Sequence, residues 1–147
     1  MLRVQKALQT KLYRFAIRYK SRNTKKQEVI NVKNTKFYVC EKCGNILTSV
    51  GNAEVVCCGE KLSPLVAKEA DEAHKLNVEK MEDDFYITFS HPMTKEHYIS
   101  FISYVRFDRV LNIRLYPEQG GELRFPQMRG GKMYYYCNTH GLFELKI

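Results

Sequence analysis

Apolar and polar residues divide this chain into three stretches with different rhythms. Between residues 4 and 19, Val4, Ala7, Leu8, Leu12, Phe15, Ala16 and Tyr19 recur at helical spacing, which predicts an amphipathic helix with one apolar face. A polar run, SRNTKKQE, follows. In the second stretch, from KFYVCEKCGNILTSV to CCGEKLSPL, short apolar runs are punctuated by Gly44, Gly51 and Gly59. That pattern predicts a small ribbon of strands and turns. In the third stretch, DFYITFS, YISFISYVRF, RVLNIRLY, KMYYYC and LFELKI are rich in Tyr, Phe, Ile and Val and partly alternate with polar residues. Turn signals at Gly120-Gly121 and Gly130-Gly131 separate them, and together they predict an all-β sandwich. Only AKEADEAHK looks locally helical there, and Tyr134 to Tyr136 should alternate between the faces of a strand. The chain thus divides into residues 1–35, 36–68 and 69–147.

Charge sharpens the first boundary. Residues 1–36 carry eleven Lys and Arg against Glu28 alone, whereas residues 37–147 carry thirteen against fifteen Asp and Glu. The basic character of the whole chain, +8, therefore belongs to the N-terminal extension, and the body is no general polyanion binder. An apolar face on a basic helix fits three roles. It could pack or dimerise, it could contact nucleic acid or another anionic surface through residues 1–36, or it could serve as a transit peptide, although the usual serines are missing.

No apolar run reaches the roughly 18 residues of a membrane span, and no signal-peptide core precedes a small-residue cleavage site. Five cysteines without an export signal argue against a disulfide framework. They favour metal or redox chemistry in a reducing, cytoplasmic setting, with no membrane association.

Four of those cysteines are clustered. Cys40 and Cys43 form a C-x2-C pair followed by Gly44, and Cys57 and Cys58 are adjacent and followed by Gly59. Four thiolates in this arrangement can hold one tetrahedral metal. Each glycine lets the backbone turn and aim amides at sulfur. A structural zinc ribbon fits the pattern, but such ribbons use C-x2-C at both ends. Two adjacent cysteines must splay to reach one ion, which favours iron; zinc remains possible here.

Cys137 and the four histidines, His74, His91, His97 and His140, all lie in the third stretch, three of the histidines within HPMTKEH and CNTH. Taken singly, each histidine fits a surface or core position. Taken together, four imidazoles and one thiolate exceed the needs of tetrahedral zinc and leave one position open on a six-coordinate ion.

These residues carry a family resemblance. FYVCEKCGNI with VCCGEKL resembles a desulforedoxin-type iron domain, while EAHKLNVEK, HPMTKEHYISFI and YCNTHG resemble the iron-binding segments of desulfoferrodoxin, the two-iron superoxide reductase. The match covers residues 36–147 and uses all five cysteines and all four histidines in the family's order. It implies a small desulforedoxin-like domain followed by an immunoglobulin-like β-sandwich, each with a mononuclear iron. By that resemblance, Cys40, Cys43, Cys57 and Cys58 hold an accessory electron-transfer iron. His74, His91, His97 and His140 would surround a second, ferrous ion, with Cys137 as its axial thiolate. The implied reaction is one-electron reduction of superoxide to hydrogen peroxide, fed by a rubredoxin-like donor, in a homodimer.

Glu72 falls where the family has a glutamate that binds the oxidised iron after product leaves. Ala73 departs from the pattern, because the family commonly has there a lysine that draws superoxide in. Lys75 is the nearby cation able to reach the same solvent region. Ala73 and the basic extension favour a different class of function, a redox- or metal-sensing module whose N-terminal helix contacts nucleic acid or a partner. A zinc-loaded structural protein is the third reading.

Overall fold

The computed structural model describes residues 35–147, so the predicted basic helix and its possible roles lie outside the described residues. Among those residues the chain forms twelve strands and a single 3-10 turn. β1 (Thr35–Val39) and β2 (Ile46–Val50) make one hairpin, and β3 (Val55–Cys57) and β4 (Glu60–Leu62) a second. The remaining strands are β5 (Lys68–Glu69), β6 (Leu76–Met81), β7 (Asp84–Phe89), β8 (Ile99–Val105), β9 (Val110–Arg114), β10 (Glu122–Pro126), β11 (Lys132–Cys137) and β12 (Gly141–Lys146). They build a three-stranded sheet, β10-β7-β6, and a five-stranded sheet, β5-β12-β11-β8-β9. The mainly β architecture expected from the sequence is present.

Alternation explains how the sheets meet. Phe85 and Ile87 of β7 face Ile102 and Tyr104 of β8 and Met133, Tyr135 and Cys137 of β11 in one buried cluster. Tyr134 and Tyr136 point to the other face of β11, as the period of two requires. That outer face is also covered. Phe37 of β1 stacks on Phe101 and tilts against Tyr134, at centroid distances of 5.5 and 5.2 Å. β8 is therefore buried almost continuously rather than alternately, because the β1–β2 hairpin, with Leu65 and Ala67, sits over its outer side. Arg114 fastens the same contact, its Nη2 donating to Gly44 O at 2.7 Å.

The helical reading of AKEADEAHK is corrected. Lys68 and Glu69 pair in parallel with β12, and only Glu72–His74 form a 3-10 turn. Asp71 caps that turn by accepting from His74 N at 3.0 Å, and Lys75 is already extended. Sheet pairing on one side and the side-chain cap on the other leave no room for a longer helix. No helix among the described residues is long and apolar enough to cross a membrane.

Candidate metal centres

The first candidate centre lies on the two small hairpins. The sulfurs of Cys40, Cys43, Cys57 and Cys58 all lie within 4.8 Å of one another, with Cys43 and Cys57 3.6 Å apart. Tight turns make this possible. Gly44 N donates to Cys40 O at 2.8 Å, and Cys40 N to Asn45 O at 3.0 Å. The adjacent pair converges because Cys58 takes φ +50° and Gly59 φ +79°, a left-handed path that costs a non-glycine residue roughly 1 kcal/mol or more.

The cluster distributes protons unevenly. Amides of Cys43 and Lys42 stabilise the buried Cys40 thiolate and lower its pKa to about 7. Hydrogen bonding to Cys43, then to Cys40, holds Cys57 above its ordinary value and pushes Cys58 up to about 12. Four sulfurs that compete for protons in this way fit a cation, which would replace the shared protons.

The second candidate centre sits at one end of the sandwich, where antiparallel strands bring their ends together. His74 closes the 3-10 turn before β6, His91 follows β7, and His97 precedes β8. Cys137 ends β11 and pairs with Gly141, so Asn138, Thr139 and His140 form the three-residue hairpin loop between them. Such loops need a left-handed residue, and Gly141 supplies it with φ +91°. This is why two residues separate Cys137 from His140. A register shift in the β8–β11 ladder sets Cys137 opposite Ile99 when Tyr136 is opposite Phe101; bulges of this kind re-aim side chains near sites.

His74 Nε2 and His97 Nε2 lie 3.0 and 3.1 Å from His140 Nδ1, and Cys137 Sγ lies 3.5 Å from the same atom. These four atoms form a compact donor group. The ring of His91 lies beside this group, 4.4 Å from His97 and 5.1 Å from His74 between centroids, but its nitrogens fall outside the four-atom donor group. Both His91 nitrogens are buried without a hydrogen-bond partner, and an orphaned buried imidazole is what a missing cation leaves behind. Burial, then the neighbouring His97, His74 and His140, lower the His91 pKa to about 4. The residues therefore fit a transition-metal ion: clustered imidazoles, a buried sulfur and an orphaned donor. Cys137 and His74 are buried while His140 is exposed, which opens the group to solvent on one side.

Glu72, Ala73 and Lys75 lie exposed beside His74. Lys75 Nζ is 3.6 Å from Glu72 Oε1, with side-chain exposures of 68% and 92%, so both stand in solvent on the same side of the turn.

Two polar residues escaped the sequence reading. Asp71 Oδ1 contacts His74 Nδ1 at 2.5 Å as well as its backbone N. Asn138 pins the Cys137–His140 turn to the His97 segment. Its Nδ2 donates to Glu96 O at 2.9 Å, and its Oδ1 accepts from Tyr98 N at 2.9 Å. The signals available were an Asp three residues before a histidine and an Asn inside C-x2-H; neither is specific by itself.

No family model matches the chain. Desulfoferrodoxin of Syntrophotalea carbinolica is 34% identical over 116 residues, covering 73% of this chain and 92% of that protein. Desulfoferrodoxin of Clostridium acetobutylicum is 31% identical over 118 residues, covering 75% and 94%. The crystal structure of the superoxide reductase from Treponema pallidum superposes with a TM-score of 0.66 at 22% identity, over 76% of this chain and 97% of that one, which shows a shared fold.

Proposed function

Since the chain belongs to the desulfoferrodoxin family, we propose that it is a superoxide reductase, taking superoxide to hydrogen peroxide by one electron and two protons. The observation that carries this reading is the convergence of His74, His97, His140 and Cys137 in one donor group, with the orphaned His91 beside it. His74, His97, His140 and Cys137, with His91, would hold an iron ion, which would supply the reducing electron when bound. Four neutral imidazoles and one thiolate leave a divalent ion with net positive charge, which favours an anionic substrate.

The chain's own residues divide the remaining tasks. Buried Cys137 would provide the thiolate donor, whose electron density would favour one-electron donation by a bound ion. Exposed Lys75, next to His74, is a cation able to draw in an anion, while Ala73 leaves its own position uncharged. Glu72, solvated and two residues before His74, is a carboxylate able to swing toward the site. Protons arrive from solvent on the open side. The four-cysteine group serves as an accessory iron site for electron transfer in a domain of residues 36–68, and residues 69–147 carry the reactive site. A rubredoxin-like donor, a homodimeric assembly and a cytoplasmic location complete the proposal.

The test is a product balance. Iron-loaded, reduced protein exposed to an enzymatic superoxide source should form one peroxide per superoxide consumed and release no oxygen. Oxygen evolution with half that peroxide would mean dismutation. No acceleration at all would leave the metal- or redox-sensing reading in its place.

A further inference from the structure

We propose that Asp71 is a positioning residue for the histidine site. Through its hydrogen bond to His74 Nδ1, it fixes the tautomer that presents Nε2 to the ion and tunes how strongly the ion is held. This rests on the reading of His74 as a ligand and adds a role for a residue outside the ligand set.

The geometry leaves Asp71 as the partner of His74 Nδ1. Its ring is only 4% exposed, and one face is stacked on Phe143 at 4.5 Å and 19°. Phe143 is in turn stacked on Tyr135 at 5.4 Å. A ring held this way cannot trade its Nδ1 contact for bulk water. Asp71 Oδ1 lies 2.5 Å from Nδ1, while Nε2 on the opposite edge lies 3.0 Å from His140 Nδ1, inside the donor cluster. A carboxylate acceptor keeps the proton on Nδ1, so Nε2 keeps its lone pair for a metal. Among the described residues, none of the other three rings contacts a carboxylate. The effect therefore falls on one ligand of the set.

The same oxygen also caps the 3-10 turn through His74 N, so a purely capping role must be separated from a tuning one. Asparagine caps as well as aspartate but offers the imidazole a neutral acceptor. In Asp71→Ala, competition with a chelator should show the histidine site binding ferrous iron or zinc about 10–100-fold more weakly. In Asp71→Asn the loss should be smaller but resolved. The midpoint potential of the site iron should rise in both variants, because a carboxylate partner favours the ferric ion. A tenfold difference between the two oxidation states corresponds to about 59 mV. In metal-free protein, 15N spectra should show His74 protonated at Nδ1, with the second tautomer gaining in Asp71→Ala.

If Asp71→Asn matches the parent in affinity and potential, the carboxylate only caps the turn and the proposal falls. If His74→Ala binds metal as tightly as the parent, the ligand reading itself fails and takes the proposal with it. Full metal content at the four-cysteine site serves as the folding control throughout.

Discussion

Phe37 lies stacked on Phe101, ring centroids 5.5 Å apart and 26° from parallel, and both side chains are essentially inaccessible to solvent. This contact welds the hairpin that leads to Cys40 onto the strand that follows His97. Truncating a buried phenylalanine costs about 3–5 kcal/mol, so Phe37→Ala should lower the denaturation midpoint of the whole described body in one transition. Two separate transitions, or an unchanged sandwich transition, would show that the hairpins fold independently of it.

His91→Ala should reduce the metal content of the loaded protein from two ions per chain to a lower value by emptying or weakening the histidine site alone. The orphaned nitrogens of His91 have no other evident partner among the described residues. Metal analysis together with the iron–thiolate absorption band checks this. Retention of both ions with an unchanged band would remove His91 from the ligand set.

The metal-free protein should lose stability as pH falls from about 6.5 toward 4. His91 has a folded-state pKa lowered to about 4 by burial and by His97, His74 and His140. Unfolded, it titrates near 6.5. Between those values the unfolded chain binds more protons, so acid favours unfolding, and the contribution is fully present only above the unfolded value. Denaturant midpoints at pH 7.5 and pH 5 measure the slope, and His91→Ala should flatten it. An equal slope in that variant would place the titration elsewhere.

Much of this was legible in the sequence because the signals are local. C-x2-C-G, CC-G and C-x2-H-G are hairpin turns in which glycine provides the left-handed residue, so ligand spacing and backbone path are one constraint. The alternation that put Tyr135 inward and Tyr134 and Tyr136 outward is local too. What escaped depends on partners distant in sequence. β8 does not alternate because Phe37 covers its outer face, and AKEADEAHK is not a helix because β12 pairs with Lys68 and Glu69. Asp71 carries no signal of its own in the sequence, since its partner is defined only once the 3-10 turn forms.

Ala73→Lys should raise the second-order rate with superoxide severalfold at low ionic strength, and the gain should shrink as salt is added. Lys75→Ala should lower the rate with the same salt dependence. Stopped-flow measurements across an ionic-strength series check both. Rates indifferent to both substitutions would mean that charge at the turn where Lys75 and Glu72 lie 3.6 Å apart does not steer the substrate.

The central claim is that the histidine–cysteine group makes this chain a superoxide reductase, and a pulse of superoxide delivered to the fully reduced, iron-loaded protein tests it most directly. The expected result is near-stoichiometric appearance of the ferric–thiolate band at the histidine site with hydrogen peroxide as product, absent in Cys137→Ser. Reduced protein that leaves superoxide to decay at its spontaneous rate, with no ferric band, would contradict the account.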